Sequence, residues 1–298
     1  MLLNVQKHNM LSSSPVLGLN TTQDDMRDQT YALVFGSVVV LGLPLNAVSL
    51  WILLCRHSLK SPSVVFMVNL AVSDLLLVIS LPMRVYFYAT GVWPLGNMTC
   101  IWITMLFRNN IRSSSIFITF ISVDRLLAVV YPLRSRHNRT SSNAWRAAAL
   151  VWIFVVVVNI PESFSMSRFL NNTSQSICFE FRQSPTTSGV SYLQPVLLFT
   201  MLAVNIVSTA LVSWTLRTHL NDSARVGNKV NVMLLFVMNL LMFIIFFLPV
   251  SLVVFFNRKV LTPLVCLASV NCCLDPLLYY FSFDGFWKKK EDVDSSRE

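Results

Sequence analysis

Five basic side chains stand where an apolar chain has little use for them. Arg84, Arg108 and Arg112 interrupt long apolar stretches, and Arg258 and Lys259 follow another. A guanidinium binds phosphate or carboxylate through paired, parallel hydrogen bonds, so the set suits an anionic head group. Arg108 and Arg112 are spaced to share one helix face. Arg84 and Arg108 are the expected head-group ligands, with Arg258 and Lys259 at the entrance. Arg112 lies deeper, where it serves either the anion or the polar groups and backbone carbonyls of neighbouring helices.

A second constellation is acidic and amide-rich. Asp74 and Asp275 lie within apolar stretches, accompanied by Asn110, Ser114 and Asn271, with the Asn46 amide available to join them. Ionisable groups at membrane depth mark functional interiors, and converging oxygen ligands suit a hydrated sodium ion. The alternative is a protonated Asp74 in a hydrogen-bond network without an ion. At 100° per residue, Asn110 points about 200° away from Arg108, so the anion and cation sites face apart. Further along, Asp124 and Arg125 are adjacent charges that also fit an ordinary interfacial salt bridge. Pro249 and Pro276 each remove a backbone hydrogen bond from an apolar helix and permit a kink, which offers a hinge.

The elements that must position these groups follow from composition. The chain has 298 residues, 54% hydrophobic and 12% charged. That is too apolar for an ordinary soluble globule. A bilayer core of about 30 Å takes roughly 20 apolar residues per helix. Spans are expected near 30–55, 63–88, 100–132, 146–161, 190–216, 230–256 and 260–281. The fold class is therefore an all-α membrane protein, a seven-transmembrane helix bundle. Residues 1–29 read as a polar, disordered extracellular tail, 30–281 as the bundle, and 282–298 as a short amphipathic eighth helix and cytoplasmic tail. Phe283, Phe286 and Trp287 beside Lys288, Lys289 and Lys290 suit an interfacial helix, the alternative being a solvated basic tail. Ser295 and Ser296 are available there for phosphorylation.

Net charge is +9, but the basic residues are dispersed through loops, which gives no reason to expect nucleic acid as a partner. Lys and Arg concentrate in the first, third and fifth loops and the C-terminal end, so the positive-inside rule places the N-terminus outside. The sequons at Asn20, Asn97, Asn171 and Asn172 fall on that outer side as candidate glycosylation sites; those at Asn138 and Asn221 fall inside and should stay unmodified. No leader with a charged start, apolar core and cleavage site is evident. Cys100 and Cys178 both lie on the oxidising side, where a disulfide would staple the longest outer loop over the bundle; the alternative is two free thiols. Cys55, Cys266, Cys272 and Cys273 are expected as packing residues within spans. No HExxH, GxSxG or catalytic acid dyad occurs, so an enzyme is not expected. No inverted repeat with matching broken helices appears, which counts against a transporter.

Taken together, these residues resemble a class A, rhodopsin-like G-protein-coupled receptor. Asn46 fits its first-helix asparagine and the run from Asn69 to Asp74 its second-helix pattern. Asp124-Arg125-Leu126 resembles the DRY motif with leucine for tyrosine, and Trp152 the fourth-helix tryptophan. Phe243 through Phe247 and Pro249 resemble FxxxWxP with phenylalanine for tryptophan, and Asp275-Pro276-Leu-Leu-Tyr279 is the DPxxY form of NPxxY. The resemblance covers residues 30 to about 290. DPxxY, Phe247, the Trp93-Pro94 loop and Leu81-Pro82-Met83-Arg84 are similar to the branch of nucleotide and lysophospholipid receptors. Runs including 132–137 are most similar to lysophosphatidic acid receptors, those of the fifth type in particular. Two features depart from the family: the fifth helix has only Pro195, near its outer end, and lacks the usual inner tyrosine.

The resemblance implies an anionic agonist, lysophosphatidic acid, entering from the extracellular side or the outer leaflet. Amine receptors of the family carry an aspartate where Phe107 stands, and no acidic residue is expected in the outer half of any span, so a cationic amine is not the expected ligand and Phe107 joins the ligand set. The implied partners are a heterotrimeric G protein and the lipid bilayer. No cofactor is implied beyond an allosteric sodium ion at Asp74, Asn110, Ser114, Asn271 and Asp275. Activation is carried by Asp124, Arg125, Phe247, Pro249, Pro276 and Tyr279, with Arg125 leaving Asp124 to help form the G-protein cavity. The alternatives are a nucleotide, a carboxylate or another anionic lipid as ligand and, more remotely, a membrane transporter.

Overall fold

A computed structural model describes residues 15–135, 137, 139–172, 178–179, 189–218, 226–253 and 260–282. Its helices are α1 (Pro15–Arg56), α2 (Pro62–Thr90), α3 (Gly96–Val130), α4 (Pro132–Ser135), α5 (Ser141–Asn172), α6 (Gly189–Thr218), α7 (Val226–Met242), α8 (Leu248–Leu252) and α9 (Leu261–Ser282). A π-helical turn, Phe243–Phe247, joins α7 to α8. Seven helical segments among the described residues are long and apolar enough to cross a membrane: Asp28–Arg56, Pro62–Thr90, Gly96–Val130, Ser141–Asn171, Tyr192–Thr218, Val232–Leu252 and Leu261–Tyr279. The seven-span expectation holds.

Local sequence sets several boundaries. Pro62 opens α2, where the missing N–H would have had no intrahelical partner. Gly91 closes it in the left-handed region (φ +69°), its N–H donating to the Phe87 carbonyl. The π turn sits directly before Pro249, where the Leu248 N–H reaches back to the Phe243 carbonyl. The wider turn accommodates the ring that would otherwise press on the preceding carbonyls.

Two boundaries differ from expectation. Helix α1 begins at Pro15, so residues 15–29, read as a disordered tail, are helical; no proline interrupts the chain between Pro15 and Pro44. The fourth span, expected to stop at Pro161, runs through it to Asn171. A proline removes one hydrogen bond, whereas ending the helix in an apolar medium would orphan several backbone groups. This places Glu162 inside a span.

α2 is the innermost helix, and much of α3 is also buried. Val40, Leu150 and Val196 point outward, as lipid-facing positions should. Polar ties cross the bundle. The Asn46 amide donates to the Cys272 carbonyl (2.7 Å), joining α1 to α9. Trp152 Nε1 donates to Asn69 Oδ1 (2.9 Å), joining α5 to α2. The Asn205 amide donates to Thr119 Oγ1 (3.1 Å), joining the proline-poor α6 to α3. Gly42 allows a close crossing, since a Cβ there would lie 3.0 Å from Val78 Cγ2 and 3.3 Å from Cys272 Sγ. Cys266 and Cys272 pack inside as expected, but Cys55 is exposed because the end of α1 has no helix packed over it at that face.

Candidate functional site

At the outer end, Cys100 and Cys178 form the expected disulfide, with Cα atoms 5.8 Å apart. It pins Phe179, which takes a left-handed backbone (φ +66°) that a bulky residue adopts only when its surroundings hold it there. The Phe179 ring rests edge-on against Phe87 and Trp93, with centroids 5.5 and 5.3 Å away. Its face covers Arg84.

Arg84 lies on α2, only 4% exposed. Its guanidinium carbon is 4.2 Å from the Phe179 ring centre, 4.9 Å from that of Phe107 and 6.0 Å from that of Phe35. Phe35 in turn stacks on Tyr88, 5.7 Å between centroids. Among the described residues no carboxylate pairs with Arg84, and its Nε has no hydrogen-bond partner. Cation–π contacts offset part of the lost hydration, about 2 kcal/mol for a desolvated pair. They do not replace the directional acceptors a guanidinium takes.

The α3 arginines have a different environment. Arg108 and Arg112 share a face, as their spacing predicts, and both reach Glu162 of α5. Arg108 Nη1 donates to Oε2 and Arg112 Nη2 to Oε1, each at 2.6 Å. Arg112 also donates from Nε to Gln194 Oε1 at 2.9 Å and from Nη1 to Asn159, whose amide binds Asn109. Arg112 is thus the tie between helices that one of its two readings anticipated, while the Arg108 side chain keeps 41% exposure. The expectation that no acid stands in the outer half of a span is overturned by Glu162, hidden from the sequence reading by ending the helix at Pro161. Phe179 was missed too, although its place directly after Cys178 was a usable signal. Arg258 and Lys259 lie outside the described residues.

Deeper in the bundle the acidic cluster assembles. Asn110 Nδ2 donates to Asp74 Oδ1 (2.9 Å), and the Ser114 hydroxyl reaches the same oxygen (3.3 Å). Asn271 donates to Asp275 Oδ2 at 2.9 Å, and Asp275 is close enough to Asp74 for each to act on the other. Ser73 and Ser113, not singled out in the sequence, fill in behind at 2.6 Å from one another. Asp74 Oδ2, Asp275 Oδ1, Asn271 Oδ1 and the Tyr279 hydroxyl are buried without a hydrogen-bond partner. Asn46 is not drawn into this cluster; its amide goes to α1 and α9 backbone.

At the inner end, Asp124 is 5% exposed, and its partners are not those expected. Arg139, on the loop before α5, donates from Nε to Oδ1 (2.8 Å) and from Nη2 to Oδ2 (3.0 Å), and the Ser63 hydroxyl of α2 donates as well. Among the described residues these are the partners of Asp124, and Arg125 is not one of them. The hydrogen bonds to Asp124 raise the Arg139 guanidinium above its ordinary pKa, so the arginine stays charged. Val212, Leu235 and Phe236 close the gap between α6 and α7 with help from Leu126, Val129 and Val130 of α3. Phe243 and Phe247 lie tilted against each other in the π turn beside Pro249, ring centroids 5.5 Å apart, and Pro276 and Tyr279 lie on α9 under the acidic cluster. Asn97 donates to Asn171 at the outer surface (3.4 Å), which brings two sequons together. The expected eighth helix and its phosphorylatable serines lie outside the described residues.

The chain matches the family described as 7 transmembrane receptor (rhodopsin family) over residues 45–279. It is 34% identical over 289 residues to "Lysophosphatidic acid receptor 6" of Gallus gallus, covering 89% of this chain and 93% of the relative. It is 33% identical over 287 residues to "Lysophosphatidic acid receptor 4" of Homo sapiens, covering 89% and 77%. It is 34% identical over 284 residues to "Lysophosphatidic acid receptor 5" of Bos taurus, covering 86% and 76%. These identities place the likeness in the lysophospholipid and nucleotide branch without singling out the fifth type.

Proposed function

The chain belongs to the rhodopsin family of seven-transmembrane receptors, a family of receptors and not of enzymes, and we propose that its agonist is an anionic lipid of the lysophosphatidic acid class. Membership implies a multi-pass plasma-membrane protein that couples to G proteins. The observation carrying the ligand assignment is Arg84, a buried guanidinium among three aromatic rings that has no carboxylate partner among the described residues. A phosphate monoester supplies what it lacks, namely charge and two aligned acceptors. Arg108, part-exposed one residue from Phe107, offers a second contact, and Arg258 and Lys259 are assigned to the entrance. The N-terminus is assigned to the outside, on the side of the disulfide and of Asn97 and Asn171.

The test is a panel on purified receptor in lipid nanodiscs, read as agonist-stimulated nucleotide exchange on a G protein. Lysophospholipids with a phosphate monoester head should activate, while nucleotides and short carboxylates should not. Activation by a nucleotide with no response to any lysophospholipid phosphate monoester would remove the lipid assignment.

The acidic cluster is assigned to a sodium ion. Asp74, Asn110, Ser114, Asn271 and Asp275 fit the group, since two neighbouring carboxylates with unpaired buried oxygens call for positive charge and hard-cation coordination. Bound sodium supplies charge balance that favours the closed arrangement. Raising sodium, but not potassium, is expected to increase the thermal stability of the ligand-free receptor and lower basal exchange. Asp74→Asn should abolish the sodium response. A wild-type receptor indifferent to the two ions points instead to a protonated carboxyl network.

Activation follows a two-state scheme: agonist binds the active arrangement better and shifts the population toward it. The π turn with Pro249, and Pro276 in α9, are the points where the helices bend, because backbone hydrogen bonds there are already altered. Phe247, Tyr279 and Arg125 are the side chains assigned to carry that change to the inner face, where the apolar contacts of α6 and α7 separate.

A further inference from the structure

Glu162 is not needed to explain why an anion binds; on its face, a carboxylate beside two arginines opposes it. We propose that Glu162 is a specificity-determining residue, an internal counter-anion that limits how much negative charge the head-group site accepts. The proposal deepens the anionic-ligand reading and rests on it.

The argument starts from who owns each donor. Arg112 spends Nε on Gln194, Nη1 on Asn159 and Nη2 on Glu162, and its side chain is only 6% exposed. It is fully committed to holding α3, α5 and α6 together. Arg108 gives Glu162 only Nη1 and keeps the rest of its guanidinium toward the open side. Among the described residues Arg84 has no ion pair. Among the described residues at the depth of the head group, three arginines and one glutamate leave a charge of 3 − 1 = +2, held by Arg84 and the free part of Arg108. A phosphate monoester carries about −1.5 to −2 at neutral pH, which balances that charge. A diphosphate or triphosphate overshoots it and brings its extra charge toward the Glu162 carboxylate, itself 7% exposed and poorly screened. Like charges so placed repel, which selects against the more highly charged head group. Glu162 therefore separates phosphate monoesters from polyphosphates, two ligand chemistries that a bare cluster of three arginines would not distinguish.

Neutralising Glu162 alone strands the buried Arg112 charge, which destabilises a fold. The test accordingly uses Glu162→Gln and also the double variant Arg112→Gln/Glu162→Gln, in which no buried charge is left unpaired. Two readouts are taken on full-length receptor in nanodiscs after surface expression is matched. The first compares an alkyl phosphate monoester with the alkyl diphosphate of the same chain in nucleotide exchange. The second compares thermal stabilisation by inorganic phosphate and by pyrophosphate, which needs no lipid. In Glu162→Gln, whose count rises to 3 − 0 = +3, the preference should shift toward the diphosphate and pyrophosphate by about tenfold or more, corresponding to about 1.4 kcal/mol; in the double variant, whose count stays at 2 − 0 = +2, it should remain that of the wild type. An unchanged preference in folded Glu162→Gln, or a shift in the double variant, overturns the role of Glu162, whatever the lipid result. If no alkyl phosphate activates the wild type and yet the pyrophosphate preference shifts in Glu162→Gln alone, the lipid assignment fails while the charge-limiting role of Glu162 stands.

Discussion

Arg84→Gln is expected to reduce agonist potency by about 100-fold or more, because truncating one side of a buried charge-assisted contact costs 2–5 kcal/mol and each 1.4 kcal/mol is tenfold. The same substitution should not weaken the ligand-free fold. Among the described residues Arg84 has no carboxylate partner and its Nε has no hydrogen bond, so the empty receptor carries much of the desolvation of that guanidinium against aromatic faces. A neutral side chain of similar length removes that cost, as replacement of buried charges by fitting neutral groups often does. Arg84→Lys keeps the charge but loses the planar fork, and should fall between wild type and glutamine in potency. Dose–response of nucleotide exchange, with melting of the ligand-free receptor measured alongside, separates these effects. An unaltered response in Arg84→Gln at matched surface expression would take Arg84 out of the site. A large loss of ligand-free stability would mean that the cage is structural.

Arg139→Ala is expected to raise basal nucleotide exchange several-fold. Arg139 holds both oxygens of Asp124 from the loop outside α3, while Ser63 holds the carboxylate from α2. Those bonds belong to an arrangement whose inner end is closed by Val212, Leu235 and Phe236. Removing them withdraws free energy from the closed state alone, and 1–2 kcal/mol of such differential stabilisation changes a two-state ratio by about 5- to 30-fold. Arg139 is partly exposed, so the lower part of that range is the expectation. Arg139→Lys keeps the charge with fewer donors and should raise basal exchange less. If Arg139→Ala is as quiet as wild type while Asp124→Asn is active, the restraint on Asp124 comes from α2 through Ser63. If neither variant is active, the inner cluster does not govern the equilibrium.

The expected change differs from the one the motif suggested. An adjacent acid and arginine invite the reading that they pair and part on activation. In this chain the acid is held by Arg139 and Ser63, so its release depends on the loop between α3 and α5 as much as on Arg125. A substitution confined to Arg125 therefore leaves that restraint in place.

Spacing made the local half of each site legible. Arg108 and Arg112 were placed on one face, and Asn110 and Ser114 on another, because helix geometry fixes neighbours within a turn. The acidic cluster was legible for the same reason: charged groups are so costly at membrane depth that Asp74 and Asp275 had to meet partners inside. The disulfide followed from topology, since only Cys100 and Cys178 fell on the oxidising side. Glu162 escaped because a proline was taken as a helix end in a setting where the backbone has no better alternative than to remain helical.

The sequence alone determined the seven apolar spans, their order and the presence of charges within them, because these follow from the solvent the chain must satisfy and from the helical period. Only the tertiary structure decided which charges meet. Arg108 and Arg112 meet Glu162 across 54 and 50 residues, and Asp124 meets Ser63 across 61. Arg84 finds no acid among the described residues and lies against Phe179. Such pairings depend on how helices cross and rotate against one another, which no spacing along one helix encodes. The functional distinction between a spent arginine and an available one therefore arises only once α2, α3 and α5 are packed.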